Sequence, residues 1–340
     1  MYGALWPRSH ATEASKGSDY IRVLSQIAEK QGTKIETDAK VVGIIREKPL
    51  AGRVLGVEYV NDDGKHIFVR ARKAVVACAG GFGANRKMRS LHDPRLYNLT
   101  TTNIEGTSTG EVLVMMEDIG AAVTGMDHIQ CNPGCPPGRK LRVNMFSWPQ
   151  NMIMVGFDGK RFIAEDSRRD QMRDAILALP KQTAFCIQDD YGQSLNNKGH
   201  QKDNLKGLET GDAWRADTLE ELAKKAGIDP ENLKKTVADY NKDCDAGNDR
   251  VGKKPRNLRR IEKAPFWTGY AGMSVHHTMG GAVINKYTQV IDRHGEVIPG
   301  LHAVGEITGG IHGSNRLGGN AIADIFTFGR LTGIYLAEGK

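Results

Sequence analysis

The sequence predicts an α/β fold carrying an α+β insertion, and three observations predict it. Short apolar runs such as KVVGII, within Thr33–Glu47, and KAVVACAGG alternate with helical patterns, as layered α/β architectures require. Ala303 to Gly333 gathers Gly305, Gly309, Gly310, Gly313, Gly318 and Gly319 ahead of a helical run that begins at Asn320 and sets Ile322, Ile325 and Phe326 on one face. Between these two regions, hairpin and helix signals mix. The predicted boundaries are 1–128 for the first part of the main layer, 129–262 for the insertion, and 263–340 for the return to the main layer.

Taken in order, Met1 to Gly17 reads as an arm or an active-site-side loop. From Ser18 a helix follows through Tyr20, Ile21, Leu24, Ile27 and Ala28, and Gly32 stops it. KVVGII is a strand, and Arg53–Asn61 with His66–Arg72 form a hairpin turning at Asp62, Asp63 and Gly64. KAVVACAGG is a short strand ending in paired glycines. Ser108 to Gly120 reads as a helix with Val112, Met115, Met116 and Ile119 inward, the methionines filling core. Cys131 to Gly138, CNPGCPPG, resists both helix and sheet. Met152–Val155 and Arg161–Ile163 make a hairpin around FDGK, followed by a helix over Arg169–Leu179 and the strand AFCIQ. Gln188 to Asp212 is polar and less regular. Thr218 caps the helix LEELAKKAG with Glu221 three residues on, and Asp229 and Pro230 start another facing Leu233, Val237 and Tyr240 inward.

Composition narrows the function classes. Among 340 residues, 47 Lys and Arg stand against 40 Asp and Glu, a net charge of +7 that favours anionic ligands without establishing a nucleic-acid partner. The basic run Lys253 to Lys263, KKPRNLRRIEK, is interrupted by Pro255 and Glu262 and reads as a solvated connection. Five cysteines at irregular spacing give no zinc pattern, so they read as thiols in a reducing compartment and no metal is expected. No GxSxG motif occurs, which sets serine hydrolysis aside. Without an apolar signal run or a spanning stretch, the reading is a soluble cytoplasmic protein with no membrane insertion. Arg316, set among glycines with little bulk around it, suits bidentate pairing with a carboxylate.

The motifs GEITGG and HGSNRLGGNAI, with VHHTMGG at Val275–Gly281 and VVACAGGFGAN at Val75–Asn85, resemble in residues and order the fumarate reductase and flavocytochrome c flavoprotein family. Its members are FAD-dependent enzymes that reduce activated double bonds. The resemblance runs from about Asp19 to the end and implies a partial FAD-binding fold of the fumarate reductase flavoprotein type with a capping substrate domain. The family's strand–GxGxxG–helix element lies ahead of the Asp19 region, so the chain resembles the latter two thirds of such a flavoprotein. That element is a separate subunit, has been removed, or never existed in this gene product; the expectation is a separate amino-terminal portion or flavoprotein subunit, with an electron-donor protein as a further partner.

The resemblance also implies roles for particular residues. Arg169, in RRD, matches the arginine that protonates the substrate, with Glu165 and Asp170 as local carboxylates for orientation or relay. His277 and Arg316 match the pair that holds the substrate carboxylate. Gly80, Gly81, Thr109, Glu111, His276, Glu306, Gly319, Asn320, Ala321 and Ile322 are the cofactor-side residues, for FAD held noncovalently. IQCNPG places Asn132 where the family has a histidine for a second carboxylate, and NMFSWPQNM adds Phe146 and Trp148. A substrate with a less charged distal group than fumarate follows, drawn from small unsaturated acids. Two alternatives stay open: a noncatalytic or flavin-binding subunit of a split complex, and an FAD-dependent dehydrogenase working in the oxidative direction.

Overall fold

The computed structural model describes residues 17–102, 106–139, 143–146 and 148–339. In chain order its elements are α1 (Gly17–Lys30), β1 (Lys40–Lys48), β2 (Ala51–Val60), β3 (His66–Arg70), β4 (Val75–Ala77), α2 (Arg86–His92), β5 (Thr100–Thr101) and α3 (Glu111–Asp118). There follow β6 (Val123–Thr124), β7 (Ile129–Gly134), β8 (Ile153–Val155), α4 (Arg169–Leu177), β9 (Ala184–Gln188), α5 (Asp190–Ser194), α6 (Lys198–Thr210) and β10 (Ala213–Ala216). The chain closes with α7 (Leu219–Ala226), α8 (Pro230–Ala246), β11 (Phe266–Thr278), β12 (Gly281–Ala282), β13 (Gln289–Ile291), β14 (Val297–Ala303) and α9 (Asn320–Ala337).

Two compact units divide these elements. The first comprises Phe82–Thr109 and Asp127–Thr278; the second comprises residues 17–81, Gly110–Met126 and residues 279–339.

The first unit is organised by β11, whose early half pairs with β10 and β9 while its late half pairs with β7 and, in parallel, with β5. All five residues of β9 are buried, as in a strand covered on both faces. Ile153, Val155, Phe185 and Ile187 meet Leu233, Val237 and Tyr240 of α8 in one apolar core. The Thr218 hydroxyl accepts from the Glu221 amide and the Asp229 carboxylate from the Asn232 amide, so α7 and α8 start where their capping side chains dictate.

Three local expectations change in this unit. Ile129–Gly134 is a strand despite Pro133, because the proline gives up one donor while its neighbours keep their ladder to β11. The polar stretch after Gln188 is largely helical: Asn197 caps α6 through the His200 amide, and Asn204 and Gly207 turn inward where an apolar stripe would ordinarily be sought. The turn at FDGK forms, with Gly156 N donating to Lys160 O, but its second arm pairs only as a bridge from Arg161 to Val155.

The second unit contains the antiparallel meander β1-β2-β3, the sheet β13-β14-β4 with β4 parallel to β14, and the small pair β12-β6. α9 seats on its sheet by polar contacts. Thr332 bonds Thr288 at 2.7 Å, Thr288 bonds His302 at 3.1 Å, and Gln289 donates to Tyr335. Burial pushes the His302 imidazole below its ordinary pKa, against the hydrogen bond to Tyr287 O, so it belongs to the core as a neutral ring.

Candidate active site

In the first unit the strand β11 carries two adjacent histidines, and the ladder treats them differently. Val275 lies opposite Cys131 and His277 opposite Gln130, so the register skips His276. This bulge sets His276 outside the ladder, and its Nδ1 meets Thr102 Oγ1 at 2.7 Å. His277, nearly fully buried, shares a face with its cross-strand neighbour Gln130. Two residues along β7, Asn132 falls on that same face, and its Oδ1 is buried with no hydrogen-bond partner among the described residues.

Arg169 opens α4. Its Nη1 donates to Gln130 Oε1 at 3.1 Å, and one turn later Arg173 Nη1 donates to Ile129 O at 3.0 Å. Two guanidiniums four residues apart therefore hold the first turns of α4 to β7. Arg168, by contrast, is exposed and forms a two-bond pair with Asp170 at 3.0 and 2.8 Å. The two carboxylates expected to serve Arg169 are engaged elsewhere. Asp170 takes Arg168, and fully buried Glu165 accepts from Arg161 and the Met154 amide and pairs with Lys253 at 3.3 Å. Gln130 is the residue that sequence reasoning missed. The signal was its position two residues before Asn132 in IQCN, on one face of any strand formed there.

Trp148 is 45% exposed just before the turn Pro149–Asn151, while Phe146 is buried. Thr109 is fixed through its carbonyl, which accepts from Asn85 Nδ2 at 2.9 Å. The expectation that Lys253–Lys263 is a solvated run is corrected at two positions, Lys253 and Arg259. Lys253 is buried, donating to Met152 O and Tyr240 Oη, Arg259 pairs with Asp189 at 2.8 Å, and Arg260 pairs with Asp245 and Glu262. Lys253 and Arg259 are taken into internal pairing, whereas Lys254, Arg256, Arg260 and Lys263 remain exposed.

The second unit places the remaining candidates. Gly80, three residues past β4, sits at φ 74°, a left-handed conformation that favours glycine, with Gly81 next. Glu111 is the first residue of α3, after Gly110, and its carboxylate meets Lys40 at 3.3 Å. Glu306 is half-buried in a turn closed by Thr308, whose amide and hydroxyl both donate to Gly305 O. A Cβ on Gly309 would lie 2.5 Å from two backbone carbonyls, so this loop can meet β12 only with a glycine there. Beyond it, His312 Nε2 meets Asp324 Oδ2 at 3.2 Å, and Arg316 is 5% exposed.

The loop delivers α9 with Gly319 at its N-cap, φ 90°, and no side-chain cap, so Asn320, Ala321 and Ile322 begin the helix with their amides undirected by any capping side chain. Nothing lies within 4 Å of a Cβ built on Gly313. The Asn320 and Ile322 amides donate to Leu317 O and Gly319 O, and the positive end of α9 as a whole follows a glycine-rich loop, which suits the carbonyl-bearing edge of a flavin. Among the described residues no cluster of three His, Cys, Asp or Glu side chains is disposed to hold a metal ion. Among them also, no helix is long and apolar enough to cross a membrane.

Comparisons with known proteins bear on this arrangement. The profile of the FAD binding domain family matches residues 2–322. Over 336 residues the chain is 36% identical to an NADH:acrylate oxidoreductase of Vibrio harveyi, covering 97% of this chain and 33% of that protein. It is 33% identical to a urocanate reductase of Eggerthella lenta, covering 96% of this chain and 54% of the relative. The open conformation of a flavocytochrome c3 fumarate reductase superposes with a TM-score of 0.75 at 33% identity, over 98% of this chain and 57% of that one. The chain thus spans between a third and somewhat over half of these proteins.

Proposed function

The chain belongs to the FAD binding domain family, among the fumarate reductase-like flavoprotein oxidoreductases, and from that membership we propose that it reduces the activated carbon–carbon double bond of an α,β-unsaturated carboxylate other than fumarate. The observation that carries this reading is the shared face of β7 and β11: His277 stands opposite Gln130, and Gln130 accepts from Arg169. A candidate carboxylate-binding group and a candidate proton donor are thereby tied to one strand within a single unit. Similar proteins act on acrylate and urocanate, small acids that carry one carboxylate on the alkene.

FAD, when bound, supplies the hydride. His277 and Arg316 hold the substrate carboxylate and stabilise the charge that builds up on the neighbouring carbon. Arg169 gives its proton to that carbon, held in aim by Gln130 and by the seating of α4 on β7. Asn132, neutral where a cation would grip a second carboxylate, offers a hydrogen bond at the far end, and Phe146 and Trp148 give that end an apolar border. We take the first unit as the capping, substrate-side part. GxGxxG does not occur in these 340 residues, so we further propose that a dinucleotide-binding element outside them completes the FAD site, and that an electron-donor protein reduces the assembly.

The test is anaerobic. The assembly, loaded with FAD and reduced with dithionite, is mixed with acrylate, urocanate or fumarate, and reoxidation is followed by the flavin absorption band. Monocarboxylates should reoxidise it faster than fumarate; a fumarate preference, or no reoxidation by any of the three, overturns the reading.

A further inference from the structure

In the first unit, Val143, Asn144, Met145 and Phe146 are buried, yet among the described residues no strand pairs with them. Their main-chain groups must find partners elsewhere, because an unpaired amide or carbonyl away from water is costly. Side chains supply those partners. The Asn144 amide donates to Asn204 Oδ1 of α6 at 2.7 Å, and Met145 O accepts from Nε2 of Gln188, the last residue of β9, at 2.7 Å. A few residues on, Arg259 donates to Gln150 O at 3.3 Å and pairs with Asp189 at 2.8 Å. Gln188 and Asp189 are neighbours, so the end of β9 holds this stretch twice, once directly and once through Arg259.

The clamp at Asn144 and Met145 is neutral and interlocked. Asn196 Nδ2 donates to Gln188 Oε1 at 3.2 Å and to Gln193 Oε1 at 3.0 Å, and Asn204 Nδ2 donates to the same Gln193 oxygen at 3.0 Å. Gln188, Gln193, Asn196 and Asn204 are all buried, so each fixes its neighbour in the rotamer that reaches the main chain. Carboxamides suit this task, since they donate and accept without a charge that burial would penalise. Asn144 Oδ1 and Asn196 Oδ1 are buried with no partner among the described residues. The network therefore satisfies the main chain at Asn144 and Met145 ahead of its own side chains, as a holding device would and a self-contained polar core would not.

We propose that Gln188 and Asn204 are positioning residues for acceptor selectivity: by holding Asn144 and Met145 they fix Phe146 and Trp148, and with them the apolar border at the acceptor's far end. This rests on the placement of Phe146 and Trp148 proposed above and deepens it. Phe146 directly follows the clamped Met145, and Trp148 directly precedes the turn Pro149–Asn151 that Arg259 holds. A border fixed from both sides discriminates between a small end group and a ring, whereas one free to shift admits both. Selectivity then depends on buried amides that act through the main chain and not by touching the acceptor.

Residue-resolved hydrogen exchange on the 340-residue chain reads the clamp directly. The Asn144 amide should be protected in the unsubstituted protein, and its exchange at the earliest times overturns the proposal without any variant. Gln188→Met and Asn204→Leu keep side-chain size while each removes one bond to the main chain. Both should speed exchange at Asn144 about tenfold or more and leave α8 unchanged. In the flavin-loaded assembly, both should shift the ratio of kcat/KM for urocanate to that for acrylate by about fivefold or more. The shift should lie in KM for urocanate, with acrylate turnover within about twofold. Val237→Ala weakens the same unit in its apolar core and should leave the ratio alone. An unchanged ratio in both variants, or an equal shift from Val237→Ala, overturns the proposal. Exchange needs neither flavin nor turnover. A protected Asn144 amide in a protein that reduces no acceptor therefore retires the reductive reading, whereas reduction with a ratio indifferent to both substitutions retires this inference alone.

Discussion

In the role proposed for it, Arg169 must release a proton that a guanidinium holds tightly. It can do so only when the forming carbanion is beside it, so its aim matters more than its acidity. Gln130 is suited to setting that aim, because an amide oxygen fixes the guanidinium plane without adding the negative charge that would hold the proton more firmly. Arg169→Lys keeps the charge but loses the planar fork, and should lower kcat by about a hundredfold or more with FAD affinity unchanged. Rapid-mixing kinetics beside a flavin titration would check this, and equal turnover would remove Arg169 from the role. Sequence alone could point to Arg169 and not to Gln130. The arginine sits in a recognisable RRD, whereas a neutral amide gains its meaning only when the β11 register places it opposite His277.

Single elements show which features the sequence made legible. Strand β4 and the glycine run before α9 are readable because glycines are demanded by local geometry, as at Gly309, where any side chain meets backbone. Strand β7 is not, because Pro133 argues against sheet and only the non-local ladder to β11 outweighs it. The basic run hides for the same reason, its partners lying far off in sequence. Asp189 is the main one. Burial would raise its pKa, but hydrogen bonds from Arg259 and from the Gly192 and Glu262 amides outweigh that and hold it below the usual carboxylate value. A carboxylate lowered on folding stabilises the fold above its unfolded pKa of about 3.9, and that stabilisation is lost as pH falls through the folded value. Asp189→Asn should therefore cost about 1–3 kcal/mol at pH 7 and much less in acid. Urea midpoints measured at pH 7 and near pH 3 would show the gap closing; a constant deficit would contradict it.

Over the whole chain, the motifs for flavin and substrate are present while GxGxxG does not occur. That turn supplies the amides that meet a pyrophosphate, so adding a segment that carries it should raise FAD affinity by about a hundredfold or more over that of these 340 residues alone. Isothermal titration of FAD into the chain with and without the segment measures this, and tight binding by the chain alone would contradict it. Strand β11 imposes a further order, one of time. Its 13 residues are the last of the first unit to be made, yet they pair with β5 near position 100, β7 near 130, β9 near 186 and β10 near 214. On the ribosome those strands emerge seconds before their common neighbour, at roughly 5–20 residues per second. Until Thr278 clears the exit tunnel the sheet has no centre, and a nascent chain stalled short of that point exposes the bare edges of β7 and β9 to whatever chaperone reaches them first.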